Sequence, residues 1–338
     1  MKADRVETNP LSVLIVGCGN IAGGFDQVRP FGSLPYTHAG AYKCDGRFHV
    51  VACVEPDDHR RNDFMVEWGV TVGFQSIDEV LHSNNRFDVI SICSPTTEHA
   101  YHLEMALRLH PKLIFCEKPV TTSVLQTEYF VANCREAKIP MVVNYTRRWD
   151  PDIAQLTKAI HAGQWGELRT VIGLYNKGIL NNGSHMIDLL YLFLGPMKIV
   201  KTGAPVNDYF PEDPTIPVWM ESENGVLITL AAGNAEDYSV FDLQLVFSKG
   251  ILSMEDGGMC WRERCVVDST LFKGYRKLEA DRRREGKYSQ AMINAVDNIY
   301  RSIRYGEPLA STGETALFAQ RVCERIRHLS YTGNKISE

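Results

Sequence analysis

The run Leu113-Ile114-Phe115-Cys116-Glu117-Lys118-Pro119 sets a lysine at the end of an apolar, strand-like segment. A buried strand seldom carries an ammonium unless it reaches a cleft, a partner or a substrate, and the carboxyl ends of parallel strands are where α/β sheets bind ligands. Further along, Gly183-Ser184-His185-Met186-Ile187-Asp188 places an imidazole on an apolar helix. Alone, such a histidine is more often satisfied by a backbone carbonyl. Beside a ligand-edge lysine it suits the proton half of a hydride transfer, in which a hydroxyl proton leaves as the carbonyl forms. Histidine has an ordinary pKa of about 6.5. Lysine stabilises developing alkoxide charge, or acts as the base when desolvation and a nearby cation lower its pKa. Asp188, three residues on, shares a helical face with His185 and can orient it.

A hydride needs an acceptor, and the sequence offers a place for one. Val13-Leu14-Ile15-Val16 runs into Gly17-Cys18-Gly19-Asn20-Ile21-Ala22, a GxGxxA dinucleotide fingerprint. Gly17 permits the tight turn, Gly19 lets the backbone approach a pyrophosphate, and Ala22 keeps the following helix close to the sheet. The amides at that helix start favour a doubly negative ligand. The segment His49-Val50-Val51-Ala52-Cys53-Val54 ends at Glu55, whose carboxylate can accept from both adenosine ribose hydroxyls and repels a 2′-phosphate. NAD is therefore expected, with NADP as the alternative through Arg60 or Arg61, which read more simply as solvated helix residues. Glu55 lies 33 residues after Ala22, against the usual ~20. The excess is an insertion at 23–36, too rich in glycine and proline for regular helix and expected to act as a partial lid. The strand at 88–93 delivers Ser94-Pro95-Thr96-Thr97-Glu98-His99 to the same edge, where Pro95 can brace a nucleotide ring and Thr96 or Thr97 can cap the next helix or reach the cofactor.

The elements that must hold these groups follow from periodicity. Segments 12–16, 49–54, 88–93, 112–116 and 140–144 are short and apolar, with helical stretches at 78–81, 98–110 and 123–136, the pattern of a doubly wound parallel sheet. The last strand leads through Arg147-Arg148-Trp149 to Asp150-Pro151, dividing the chain into a dinucleotide-binding Rossmann domain, 1–147, and an α+β substrate-binding and oligomerisation domain, 148–338. There, 168–175, 225–232, 239–247 and 250–254 predict a largely antiparallel open sheet. Helices are expected at 184–194, 289–305 and 311–329, the last two on that sheet or back on the first domain. Tyr175 and Lys177 end the first of these strands and are candidates for substrate contact. Arg147 and Arg148 can grip a carboxylate or phosphate, one of them pairing with an acid at the domain seam. The charge run at 281–287 reads as a solvated loop or helix end.

The totals set limits. A chain of 338 residues exceeds what one core organises. A net charge of −5 gives no general pull toward nucleic acid. No apolar stretch approaches the ~20 residues that span a bilayer, and the start lacks the apolar core of a secretion signal, so the expected location is the cytoplasm. Nine cysteines include no CxxC, and Cys260 and Cys265 have no matching histidine pair. Reduced thiols and no metal are expected.

This motif set resembles the Gfo/Idh/MocA family, named for glucose-fructose oxidoreductase and inositol dehydrogenase. The resemblance spans nearly the whole chain and rests on Gly17 to Ala22, Ser94 to His99, Glu117-Lys118-Pro119, Arg147 to Pro151 and Gly183 to Asp188. It implies a homo-oligomer, dimer or tetramer, acting on a sugar, sugar nucleotide or cyclitol. It also implies cofactor contacts at Gly17, Gly19, Asn20, Ile21, Ala22, Glu55, Ser94, Pro95, Thr96, His99, Glu117 and Lys118. Substrate contacts fall on Lys118, Arg148, Tyr175, Asn181 and His185. Lys118 then sits between nicotinamide and the substrate hydroxyl, and His185 is the acid or base. Where the family commonly has an aspartate four residues before that histidine, this chain has Asn181, which can orient a hydroxyl but cannot exchange a proton at neutral pH. Two other readings stand beside a dehydrogenase: a nucleotide-sensing regulator without turnover, and transient oxidation that enables glycoside elimination with the cofactor recycled in place.

Overall fold

The computed structural model describes residues 9–30 and 32–333; the start of the chain and Phe31 of the insertion lie outside the described residues. The chain forms two compact units, Met1–Thr146 with Gln290–Leu317, and Arg147–Ser289 with Phe318–Glu338. The units are therefore not the consecutive halves 1–147 and 148–338, because residues 290–317 return to the first.

In the first unit, six strands form one parallel sheet: β1 (Leu11–Val16), β2 (Phe48–Val54), β3 (Val72–Phe74), β4 (Val89–Ile92), β5 (Leu113–Cys116) and β6 (Met141–Val143). Their order is β3-β2-β1-β4-β5-β6. β4 and β5 are buried along their whole length, which explains why they read as continuous apolar runs. The strand order reverses beside β1, so the loops after β1 and β4 open on the crevice where a doubly wound sheet takes its ligand.

After β1 the chain makes a short π-helical turn and the one-turn α1 (Phe25–Gln27), with no long regular helix through the glycine- and proline-rich insertion among the described residues. Helix α2 (His38–Asp45) follows the insertion, its start capped by the Thr37 hydroxyl accepting from the Gly40 amide. Next come α3 (Asp58–Trp68), α4 (Ile77–His82), α5 (Thr96–Arg108) and α6 (Val124–Glu136), of which α3, α4 and α6 are capped by Asp57, Ser76 and Ser123. Pro95 stands at the start of α5 without a side-chain cap, so neither Thr96 nor Thr97 does that work.

The second unit begins with α7 (Pro151–His161), capped by Asp150 with proline in its first turn. β7 (Leu168–Tyr175) ends at a π-helical turn, Gly178–Gly183, that runs directly into α8 (Ser184–Leu194). Then come β8 (Met197–Thr202), the hairpin β9 (Val206–Phe210) and β10 (Asp213–Thr215), β11 (Val218–Ser222), β12 (Leu227–Ala232), β13 (Phe241–Phe247), β14 (Gly250–Glu255), β15 (Cys260–Asp268), β16 (Arg276–Leu278) and β17 (Arg282–Glu285). The four expected strands are present as β7, β12, β13 and β14. β7 pairs parallel with β12, while the other pairs in this sheet are antiparallel.

The charge run expected as a solvated loop or helix end contains β17, an exposed edge strand on β15. Arg284 there meets Asp152 of α7 at 2.9 Å and Glu263 of β15 at 3.2 Å, and such ion pairs let a polar segment hold an edge.

Helix α9 (Ala291–Tyr305) belongs to the first unit. There Arg47 bonds Asp297 at 2.8 Å and lies over the Tyr300 ring. Helix α10 (Gly313–Thr332) starts in the first unit and continues into the second. No helix among the described residues is long and apolar enough to cross a membrane.

Candidate active site

At the carboxyl edge of the first sheet, Gly17 leaves β1 with φ +89° and donates its amide to the Val54 carbonyl at 2.8 Å. A Cβ added there would lie 2.6 Å from the Ser94 nitrogen. Only glycine allows the loops after β1 and β4 to pack backbone against backbone. Gly19 differs, because a Cβ there would meet nothing within 4 Å. That open space beside a bare backbone is what close approach of a pyrophosphate requires. Ala22 is fully buried, Ile21 half-buried and Asn20 exposed on the turn.

Glu55 ends β2 and is 4% exposed. Its carboxylate accepts from the Cys18 amide at 3.0 Å, the Asp57 amide at 3.2 Å and Arg60 at 3.4 Å. The acid expected to meet ribose hydroxyls thus also fixes the fingerprint turn, and an ionised carboxylate has acceptor capacity for both tasks. Arg61 is turned inward to the Glu55 carbonyl at 2.6 Å, while the Arg60 side chain is 57% exposed.

The insertion closes on itself. Asp26 accepts from the Tyr36 amide, the Thr37 amide and the Thr37 hydroxyl, at 2.9, 2.9 and 2.6 Å, and Arg29 lies 3.8 Å above the Tyr36 ring. Asp26 thereby ties α1 to the residues that lead into α2.

Of the segment after β4, Pro95 is exposed and Thr96 half-exposed at the start of α5. The Ser94 hydroxyl bonds His102 Nδ1 at 2.8 Å. His99 is buried between the Ser94 and Pro119 carbonyls, bracing the loops, so it is no direct cofactor contact. Glu117, after β5, bonds His38 Nε2 at 2.9 Å and the Asn144 amide at 2.6 Å. Burial would raise its carboxyl, but His38, Asn144 and the Lys118 charge outweigh that and hold it below the ordinary range. Lys118 follows, half-buried, at a cis Lys118-Pro119 bond.

The second unit presents Asn181 on the π-helical turn and His185, half-buried, as the second residue of α8. This turn is built by two acids of the β9–β10 hairpin. Asp213 accepts the Leu180 and Asn181 amides at 2.8 and 2.9 Å, and Asp208 accepts the Lys177 amide at 2.8 Å and the Thr215 hydroxyl at 2.9 Å. Asn181 turns its amide to the Lys177 carbonyl at 3.1 Å.

Two expectations here are corrected. Tyr175 is fully buried, and its hydroxyl donates to the Ile216 carbonyl at 2.7 Å, so it is a core post with no surface for substrate. Burial pushes its phenol far above the ordinary range. Arg148 is buried against Asp188, which removes Arg148 as an anion grip and commits Asp188 to Arg148 in place of His185. The other arginine, Arg147, stacks on the Phe241 ring at 3.8 Å and donates to the Gly257 carbonyl at 3.2 Å.

Asp208, Asp213, His38 and Asn144, which bond to these segments, were not foreseen. Asn144 had a signal, since it ends the strand at 140–144. The other three act across elements whose adjacency no local pattern reveals.

Residues 11–145 match the family described as oxidoreductase family, NAD-binding Rossmann fold. An inositol 2-dehydrogenase of Rhizobium meliloti (strain 1021) is 24% identical over 253 residues, covering 69% of this chain and 75% of that protein. Among solved structures, the WlbA dehydrogenase of Bordetella pertussis, in complex with NADH and UDP-GlcNAcA, superimposes with a TM-score of 0.76 at 16% identity over 96% of this chain and 98% of that one. KijD10, a 3-ketoreductase of Actinomadura kijaniata in complex with NADP and TDP-benzene, gives 0.74 at 18% over 95% and 98%. Residues 11–145 of the chain thus match the NAD-binding Rossmann domain of the Gfo/Idh/MocA oxidoreductases.

Proposed function

We propose that this protein is an NAD(P)-dependent dehydrogenase or ketoreductase that moves a hydride between nicotinamide and a hydroxyl or ketone of a cyclitol, sugar or sugar nucleotide. The observation that carries the reading is Lys118 at the exit of β5, on the same sheet edge as the open Gly19 turn and Glu55. The names of the relatives, an inositol dehydrogenase and enzymes solved with nucleotide ligands, support the substrate class.

In this reading Gly17, Gly19, Asn20, Ile21 and Ala22 hold the pyrophosphate, Glu55 receives the adenosine ribose, and Ser94, Pro95 and Thr96 flank the nucleotide. The bound nicotinamide supplies the redox chemistry by accepting or giving the hydride. Lys118 donates a hydrogen bond to the substrate oxygen and stabilises its negative charge as the carbonyl forms. His185 takes the hydroxyl proton and returns it in the reverse direction. Asn181 orients a substrate hydroxyl without exchanging a proton. NAD is favoured over NADP because the Glu55 carboxylate repels a 2′-phosphate, although exposed Arg60 beside it offsets part of that repulsion.

The test is a panel of inositols, free sugars and nucleotide sugars with NAD or NADP, followed by absorbance of the reduced nicotinamide, for the wild type and for Lys118→Ala and His185→Ala. Turnover on one of these classes, reduced by ~100-fold or more in each variant, is the expected result. Tight NADH binding with no turnover on any member would put a nucleotide-sensing regulator in its place.

A further inference from the structure

Lys177 follows β7 with φ 62° and ψ 42°, a left-handed conformation that glycine adopts freely and a residue with a Cβ adopts at a cost. Its surroundings hold it there. Asn176, fully buried, donates its side-chain amide to the Tyr238 carbonyl at 2.5 Å and accepts from the Val240 amide at 3.1 Å. Asp208 takes the Lys177 amide at 2.8 Å, and the Thr215 hydroxyl takes the Gly178 amide at 2.9 Å. Three successive residues are thus pinned by groups distant in sequence, so the direction in which the Lys177 stem leaves the chain is fixed.

The residue is half-buried, and its ammonium lies 5.2 Å from the centre of the Tyr209 ring. Tyr209 is 57% exposed and meets Phe210 edge to face at 4.5 Å. Among the described residues no carboxylate pairs with this ammonium. Asp208, the acid at its backbone, has both oxygens engaged: Oδ1 accepts from the Thr215 hydroxyl, and Oδ2 from the Lys177 and Ala235 amides. A cation–aromatic contact at a partly exposed site is worth no more than the strain of a left-handed lysine, so glycine would serve the fold as well. What lysine adds is a positive charge, held in place and uncompensated. It stands at the entrance of the turn that carries Asn181, whose side-chain amide bonds the Lys177 carbonyl at 3.1 Å.

We propose that Lys177, seated against Tyr209, determines specificity by binding an anionic group of the substrate, so that a sugar bearing a phosphoryl or carboxylate group is taken in preference to a neutral cyclitol. Asn181 orients a hydroxyl, while Lys177, four residues before it, takes the charge. Lysine serves such a group as a point charge. Because the stem is fixed at its base and the head rests on an aromatic ring, little side-chain freedom is lost when the anion arrives. The selectivity in turnover rests on the dehydrogenase reading of this site; the affinity for an anion does not.

The deciding measurement is calorimetry on the protein, free and loaded with NADH, titrated with glucose 6-phosphate, UDP-glucose, glucuronate and myo-inositol. An anionic sugar should bind more tightly than the neutral ring, and whichever binds tells phosphoryl from carboxylate. Lys177→Gly keeps the left-handed backbone without strain, so its melting temperature should hold while the Kd for that sugar rises by about ten-fold or more, the scale of one charge-assisted hydrogen bond. Lys177→Arg keeps the charge and should stay within about three-fold of the wild type. No preference for any anionic sugar in the wild type, or an equal Kd in Lys177→Gly, overturns the assignment. So does a melting temperature lowered by more than about 4 °C in Lys177→Gly, which would make Lys177 a support of the fold. Where turnover is found, the ratio of kcat/KM for anionic over neutral substrates should fall in Lys177→Gly by the same factor. If no panel member is turned over, the dehydrogenase reading falls, and the Kd values still decide whether Lys177 binds an anion.

Discussion

Arg148 and Asp188 form an ion pair sealed from solvent, with Arg148 Nε 2.9 and 2.8 Å from the two carboxylate oxygens and side-chain exposures of 5% and 2%. Removing one partner strands a buried charge, so Arg148→Met should lower stability by about 3–5 kcal/mol, and the double change Arg148→Met with Asp188→Leu should recover most of it. Burial lifts the Asp188 carboxyl to about 6 against the pull of Arg148, while in the unfolded chain it returns to about 3.9. As pH rises, the unfolded state loses this proton first. The contribution of Asp188 is therefore full below pH ~4, falls between ~4 and ~6, and stays low above that. Urea unfolding across that window should show the fall in the wild type and a smaller one in Asp188→Asn. Equal slopes would mean that the carboxyl is not raised.

Asp213 holds the turn that carries Asn181, through two backbone amides. Asp213→Ala leaves two donors without their acceptor at a 9% exposed position, a loss of about 1–3 kcal/mol. Because the turn bears groups assigned to the substrate and none assigned to the nucleotide, KM for the sugar should rise while the NADH Kd holds. Calorimetry with NADH and initial rates over substrate concentration separate the two. A parallel loss of both would make Asp213 a general support of the fold.

How far the sequence carries such arguments depends on the range of the interaction. Strands β1, β4 and β5 were legible because their burial makes apolar runs, and Lys118 because a charge ends such a run. Gly17 was legible because a tight turn demands glycine, as its φ of +89° shows. Tyr175 and Arg148 misled for one reason: both stand at strand or domain ends, where a polar tip can face substrate or the core. Their partners, the Ile216 carbonyl and Asp188, come from elements distant in sequence. The β9–β10 hairpin was missed because its strands are short and polar, held by Asp208 and Asp213 bonding to a neighbouring turn more than by alternation. The return of residues 290–317 to the first unit was left open because an amphipathic helix says what it buries, not against which sheet.

Gly17 and Gly19 separate folding from binding. Alanine at Gly17 meets the Ser94 backbone at 2.6 Å and a left-handed φ, so Gly17→Ala should destabilise by more than about 1 kcal/mol and weaken NADH as well. Gly19 has φ −81° and an open Cβ position. Gly19→Ala should leave the melting temperature nearly unchanged yet weaken NADH by roughly ten-fold or more, since its methyl occupies the space the pyrophosphate needs. Thermal melts and NADH fluorescence titrations distinguish the pair. Full NADH affinity in Gly19→Ala would remove the pyrophosphate from this turn.

Glu55 has two tasks, and a substitution can separate them. Its Oε2 accepts from Cys18 at 3.0 Å while Oε1 faces Asp57 and Arg60. Glu55→Gln keeps an oxygen for the Cys18 amide and removes the negative charge. The turn should therefore survive, with a stability change within about 1 kcal/mol, while the repulsion of a 2′-phosphate disappears and Arg60 loses the Glu55 carboxylate as a counter-charge. The ratio of NADP to NAD affinity should then rise by about ten-fold or more, a change near 1.4 kcal/mol, and the gain should shrink with added salt because Arg60 is exposed. Adding Arg60→Ala to Glu55→Gln should cancel most of the gain. If the ratio does not move in Glu55→Gln, the adenosine ribose is read by another group, and the preference for NAD has to come from the shape of the β2 loop instead of its charge.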